Sequence, residues 1–272
     1  MVAGTARLYA IIGDPVGHVR TPLVFNAYFA EHGIDAVCVP IHIRPDELET
    51  ALAGLKAIAN LDGFIVTAPH KARVAAIVDQ LVGDGDKVGA VNTVRREADG
   101  TFTGTMLDGH GFVAGLARAG WGPEGKSVYI AGAGGAASAI AFALAGAGMA
   151  RLTIFDRTPA IGQALLARVK AAYPHIETAF GTRDPSGHDL AVNATPLGLE
   201  PDDPFSFDVE KADPSTLVAE VLMKPETTAL LHAAAARGCA IHQGKHMLDG
   251  QRDLMMAYFG LAPEGAPKEA TP

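Results

Sequence analysis

The stretch "SVYIAGAGGAASAIAFALAGAG", Ser127 to Gly148, decides the fold. It begins as a strand, breaks at a glycine-rich turn, and continues as an alanine-rich helix. The turn, Gly132-Ala133-Gly134-Gly135-Ala136-Ala137, fits G-x-G-x-x-G/A. Alone that pattern is weak, because glycines also serve ordinary turns and close packing. Its context strengthens it: a strand precedes, a helix follows, and a second strand, "RLTIFDRT" (151–158), carries Asp156 nineteen residues after Ala137. Gly132 permits the tight turn, Gly134 lets the backbone approach a pyrophosphate, and Ala137 lets the helix pack against the strand. The helix N-terminus, with Gly135 and Ala136 in its first turn, offers free N–H groups and the positive end of the helix dipole. A dinucleotide-binding domain of the Rossmann type is expected.

Asp156 bears on the choice of dinucleotide. A carboxylate at this strand end accepts hydrogen bonds from the ribose hydroxyls of NAD and repels the 2′-phosphate of NADP. Arg157, beside it, can contact a 2′-phosphate or stack on adenine. NAD is the expected preference, with NADP the alternative, because a fixed charge close to the ribose outweighs one mobile side chain.

Strand-like and helix-like segments alternate on both sides of this stretch, which implies α/β layering. Upstream, strands are expected at 7–13, 36–43 and 61–68, and helices at 21–33, 44–59 and 70–81. Thr21 is the expected N-cap of the first helix, with Pro22 in its first turn and Gly33 at its end. Two short strands flank the turn Ala98-Asp99-Gly100 within 88–107. A connecting helix spans 109–120, and a helix spans 159–173. Further strands fall at 189–196, 216–223 and 240–244, and a terminal helix at 246–260. In that helix Leu248, Leu254, Met255 and Phe259 read as a packing face. The expected domains are 1–107, completed by 245–262, and 108–244, with a disordered tail at 263–272.

The chain has 272 residues, 49% hydrophobic and 19% charged, enough apolar material for two α/β domains. With 22 basic against 30 acidic residues, its net charge of -8 argues against a nucleic-acid or anionic-membrane surface. Cys38 and Cys239 sit in apolar runs and read as reduced, buried thiols. No spacing suggests a metal site. The N-terminus lacks a signal-peptide pattern and no apolar run spans a bilayer, so a soluble cytoplasmic protein is expected.

A dehydrogenase also needs a group that takes and returns a proton near the carbon that loses hydride. Read alone, Lys71 at the end of "GFIVTAPHK" is as easily a solvated lysine, and Asp108 a helix cap. A wider pattern changes their weight. The motifs "GDPVGHVRTP", "VTAPHK", "GAVNT", "LDGHGF", "GAGGAA", "NATPLG", "KPETTALLHAAAARG" and "HMLDGQ" occur in this order along the chain. Together they resemble the shikimate/quinate dehydrogenase family. The resemblance implies an N-terminal α/β substrate-binding domain, a C-terminal Rossmann domain, and a last helix that returns to the first. It also implies reversible oxidation of a secondary alcohol on a small cyclic hydroxy acid, with NAD or NADP as the cofactor. Lys71 then matches the catalytic lysine and Asp108 the catalytic aspartate. Thr21, Thr67, Asn92 and Gln251 match polar substrate contacts, while Thr195 and Met247 match positions beside the cofactor. Lys71 and Asp108 are expected to act as a coupled pair. A monomer or homodimer acting on a small molecule is expected.

Three positions depart from the family pattern, each from polar to apolar. The serine-x-serine motif reads Val19-Arg20-Thr21, the asparagine before "VT" is Ile65, and the threonine before Asp108 is Leu107. Arg20 either supplies a substitute charge for a carboxylate or is a solvated loop residue. The pocket is thus expected to suit a related, less hydroxylated substrate. The alternatives are a shikimate/quinate dehydrogenase with a compensated pocket and a weakly catalytic ligand-binding homologue. His18, His70, His110 and His246 lie near these motifs and are expected to hold surface or supporting roles.

Overall fold

The structure is a computed structural model that describes residues 2–17 and 19–262. His18 and the tail 263–272, for which disorder was expected, lie outside the described residues. The chain divides into two compact units, one within Met1–Leu107 and Arg252–Pro272, the other Asp108–Gln251.

The first unit holds β1 (Arg7–Gly13), α1 (Thr21–Glu31), β2 (Ala36–His42), α2 (Leu48–Lys56), β3 (Leu61–Val66), α3 (Lys71–Ala75), β4 (Gln80–Leu81), α4 (Asp84–Val88), β5 (Thr93–Arg96) and β6 (Phe102–Thr105). Its six-stranded sheet runs β2-β1-β3-β5-β6-β4. β1 is parallel to β2 and β3, while β5 is antiparallel to β3 and β6. Period-two alternation buries both faces of this sheet. Ala10, Ile12, Phe64 and Val66 join one apolar cluster with Leu48, Leu52 and Leu55 of α2. Tyr9, Ile11 and Ile65 join the other, with Phe25 and Phe29 of α1 and Met255, Met256 and Phe259 near the C-terminus. Fully burying a side chain of this size contributes roughly 1.5–3 kcal/mol, so these two faces dominate the unit's stability.

The second unit holds α5 (Asp108–Arg118), β7 (Ser127–Ala131), α6 (Gly135–Gly146), β8 (Arg151–Phe155), α7 (Pro159–Ala172), β9 (Glu177–Phe180), β10 (Leu190–Asn193), β11 (Leu217–Glu220), α8 (Ala229–Ala236) and β12 (Ile241–His242). Its sheet runs β12-β11-β10-β7-β8-β9, and every pairing is parallel. Counted from β7, that is the order 3-2-1-4-5-6 of a doubly wound dinucleotide-binding sheet. Its switch point lies between β7 and β10, where such sheets bind ligands. The last helix, α9 (Lys245–Tyr258), crosses the division at Gln251/Arg252, so the boundary falls inside the helix and not before it.

Several elements differ from expectation. The helix foreseen over 70–81 ends at Ala75, and Gln80–Leu81 form a strand. Asp79 N donates to Phe102 O and Val82 N to Gly104 O, so pairing with β6 overrides the local helical pattern. The helix foreseen over 44–59 is regular only over Leu48–Lys56, after a single tighter turn at Pro45–Glu47. Arg20, not Thr21, is the N-cap of α1; Thr21 is its first helical residue, and no side chain caps the end. Helices α4 and α8 and strand β9 had no counterpart in the sequence reading.

Close helix packing in the second unit depends on glycine. A Cβ on Gly109 would collide with the backbone of Ala139 in α6, its carbonyl carbon lying 2.5 Å away. A Cβ on Gly111 would meet Met247 O at 2.8 Å, and one on Gly115 His246 O at 2.9 Å, both in the first half of α9. Backbone cannot yield as a side-chain tip can. Gly109→Ala is therefore expected to cost about 3 kcal/mol, the upper end of overpacking penalties, read as a lowered thermal-unfolding midpoint. An unchanged midpoint would show that α5 and α6 can move apart without cost.

Candidate active site

The glycine turn follows β7 at the switch point. Gly132 has φ +102, a conformation L-residues rarely adopt, and a Cβ there would lie 2.9 Å from Ala194 O and 3.0 Å from Thr195 Cγ2. Gly134 is the extended N-cap of α6 and has no side-chain cap. Gly134 and Gly135 are exposed, Ala136 is half-buried, and a Cβ on either glycine would meet open space. The first N–H groups of α6 therefore face outward, with room for a pyrophosphate. Asp156, just past β8, holds the turn from the other side. Its Oδ2 accepts from Ala133 N at 2.9 Å and its Oδ1 from Thr158 N at 2.7 Å. Arg157 beside it is exposed. These residues fit a dinucleotide.

Beyond β10, Thr195 Oγ1 donates to Asn193 Oδ1 at 2.7 Å and accepts from Leu197 N at 3.1 Å. Asn193 Nδ2 donates to Leu197 O at 2.9 Å and to Glu220 Oε1 at 3.0 Å. The sequence reading singled out Thr195 but neither Asn193 nor Glu220. One signal was present: Glu220 is the lone carboxylate in the apolar run "TLVAEVL".

Asp108 opens α5 and is 7% exposed. Its Oδ1 accepts from Gln251 Nε2 at 3.0 Å. Gln251, matched to a substrate contact, thus also orients the carboxylate. Met247 is largely buried on α9. His246 stacks near His242, their centroids 4.8 Å apart, and burial, then His246, pushes His242 down to about 4.

In the first unit, Thr67 follows β3. Its Cγ2 lies against Gly13, where a Cβ would collide with it, and its N–H donates to Ile12 O at 2.9 Å. The Ala68–Pro69 bond is cis. Lys71 begins α3, is half-buried, and its carbonyl accepts from Val91 N at 3.0 Å. His70 before it is fully buried rather than superficial, its Nε2 2.7 Å from Ile43 O. Asn92 is also buried. Its Oδ1 accepts from Leu107 N at 2.9 Å and from Thr93 Oγ1 at 3.1 Å, so its carbonyl fixes the chain immediately before Asp108. Thr21 is half-buried and Arg20 exposed.

The three apolar departures come together. Ile65 and Leu107, 4% and 2% exposed, belong to one apolar cluster, and Val19 packs against it. Positions far apart in sequence thus share one hydrocarbon cluster.

Comparison with known proteins agrees with this geometry. Residues 11–94 match the family model described as the shikimate dehydrogenase substrate binding domain. A protein from Rubrobacter xylanophilus named shikimate dehydrogenase (NADP(+)) is 40% identical over 99% of this chain and 96% of its own. The structure of shikimate 5-dehydrogenase from Listeria monocytogenes, in complex with shikimate and NAD, superposes with TM-score 0.89. It is 29% identical and covers 95% of this chain and 93% of that one. Ligand-free 5-ketofructose reductase of Gluconobacter sp. strain CHM43 superposes with TM-score 0.87 at 30% identity, covering 94% of each chain. Turn, sheet order and relatives together define an NAD(P)-dependent oxidoreductase that acts on a CH–OH group. Within that class, the chain belongs to the shikimate/quinate dehydrogenase family.

Proposed function

We propose that the enzyme interconverts a secondary alcohol and a ketone on a small hydroxy acid that presents fewer hydroxyls than shikimate, and prefers NAD to NADP. The observation that carries the substrate reading is that Ile65 and Leu107 belong to one apolar cluster and Val19 packs against it. A hydroxyl set against hydrocarbon loses its hydrogen bond to water without gaining another. The fold neighbour named for 5-ketofructose supports the idea that this fold admits substrates other than shikimate. A second reading, a shikimate dehydrogenase with a compensated pocket, is favoured by the 40% identity to the Rubrobacter protein.

Lys71 takes the hydroxyl proton as the alcohol is oxidised and returns it in reduction, and Asp108 stabilises the protonated amine. Gln251 holds Asp108 in one orientation through the bond to Oδ1. Thr21, Thr67 and Asn92 bind the substrate's remaining polar groups, and Met247 borders the reacting ring. The nicotinamide, when bound, accepts or supplies the hydride. The N–H groups of Gly134, Gly135 and Ala136 bind its pyrophosphate, and Thr195 borders the turn. The NAD preference rests on Asp156, whose charge both hydrogen bonds fix at the end of β8. No helix among the described residues is long and apolar enough to cross a membrane.

The test is a cofactor-reduction screen of hydroxy acids, shikimate, quinate and reduced 5-ketofructose, with NAD and NADP in parallel. A kcat/KM for NAD about tenfold above that for NADP is expected, the effect of one unscreened like charge near a phosphate. A preference for NADP would overturn the reading of Asp156, and shikimate as the best substrate would establish the second reading.

A further inference from the structure

Glu220 is a buried carboxyl that no step above uses. It ends β11, the strand next to β10, and is 1% exposed. Its Oε1 accepts from Asn193 Nδ2. The same amide donates to Leu197 O, while Asn193 Oδ1 accepts from Thr195 N at 3.1 Å and from Thr195 Oγ1. Besides the backbone bond from Ala194 N to Ala131 O, the connector from Asn193 to Leu197 is therefore held by this one amide, and that amide is anchored by one carboxyl. The connector is also a wall of the glycine turn, because Ala194 O and Thr195 Cγ2 are the atoms nearest to a Cβ on Gly132.

We propose that Glu220 is a positioning residue for the nicotinamide cofactor: through Asn193 it holds Ala194 and Thr195 in place against Gly132. The inference rests on the reading that this turn and connector border the cofactor. It assigns a role to a side chain that touches neither substrate nor cofactor.

The surroundings of Glu220 favour its neutral form more than water does. Asn193 faces it from β10 and the Thr228 hydroxyl from the start of α8. β12 contributes His242, which pairs in register with Ala219 and packs against Phe112 and His246. His232 on α8 is exposed. Among the described residues no cation pairs with Glu220, and no well-aligned hydrogen bond reaches its Oε2, although Thr228 lies close enough to favour the ionised form somewhat. Burial outweighs both polar neighbours and pushes the carboxyl above its usual range. Protonated, Oε2–H can donate to Thr228 Oγ1, which already caps α8 by accepting from Leu231 N at 3.3 Å. Ionised, Oε2 would be a buried charge with no cation to offset it.

The folded chain binds this proton more tightly than the unfolded chain. That stabilisation is complete below the ordinary carboxylate range and is lost as pH rises through the raised folded value. Glu220→Gln reproduces the neutral form: its amide oxygen accepts from Asn193 and its Nε2 donates to Thr228. It should therefore remove this part of the pH dependence.

NADH and NADPH are titrated in parallel by fluorescence against the wild-type enzyme, E220A and E220Q across pH. E220A should raise the Kd of the preferred cofactor about tenfold, the cost of one buried hydrogen bond, with kcat at saturation within about twofold. E220Q should bind as the wild type does, with flatter pH profiles of Kd and unfolding midpoint. E220Q as weak as E220A, or E220A as tight as the wild type, would overturn the proposal. Should E220A fail to fold, E220Q decides it: retained affinity with a flattened profile supports the role, and weakened affinity or an unchanged profile overturns it. A wild-type enzyme that bound neither cofactor would overturn the cofactor reading itself, and is distinguished by needing no variant.

Discussion

Lys71→Ala is expected to lower kcat by about 10²–10⁴-fold, the usual contribution of a positioned acid–base group, while the Kd for NADH stays within about twofold. Two observations motivate the split. The cofactor turn is held by bonds from Asp156 to Ala133 N and Thr158 N, which the substitution does not remove. The backbone of Lys71, which accepts from Val91 N, is kept by alanine, so the start of α3 should survive. A solvated lysine would give a different result, because its removal changes turnover little. Single-turnover hydride transfer and NADH titration on the same preparation separate the outcomes. If hydride transfer persists near the wild-type rate, Lys71 is not the proton-handling group. If NADH affinity falls with the rate, the residue supports the fold and not the chemistry.

The second unit was the more legible half, and the reason is physical. A parallel sheet buried on both faces needs continuous apolar runs, so β7, β8, β10 and β11 stood out. The demand that backbone approach a phosphate closely leaves glycines at Gly132 and Gly134 that few other structures require. The first unit hid more. Residues 76–81 carry a helical pattern, yet Asp79 and Val82 bond to β6, because a free sheet edge outcompetes a short helix. Polar networks were the least legible feature. Asn92 and Gln251 could be picked out as site residues, but their partners, Leu107 N and Asp108 Oδ1, lie 15 and 143 positions away. Periodicity reports which face a side chain occupies and says nothing about such pairings. Glu220 shows the same limit from the other side: a carboxylate in an apolar strand signals that something must satisfy it, but only the fold names Asn193.

Ile65 reads as core in isolation and as a lost substrate contact by resemblance, and its 4% exposure in the cluster with Leu107 allows both to hold. The wild-type kcat/KM for shikimate should then fall roughly 10²-fold below that of the Rubrobacter protein. A hydrocarbon pocket disfavours a substrate that brings an extra hydroxyl on about this scale. Putting the partners back should recover part of it. Ile65→Asn combined with Val19→Ser is expected to raise kcat/KM for shikimate on the order of tenfold or more, about one net hydrogen bond in binding terms. The same pair of changes buries an amide beside Tyr9 and Ile11 when no ligand is present. It should lower stability by about 1–3 kcal/mol, and saturating shikimate should restore some of the loss. Gain in shikimate activity and loss of unliganded stability must therefore appear together. Lost stability without gained activity would leave Ile65 an ordinary core residue. A wild-type enzyme already matching the Rubrobacter protein on shikimate would remove the case for an altered pocket altogether.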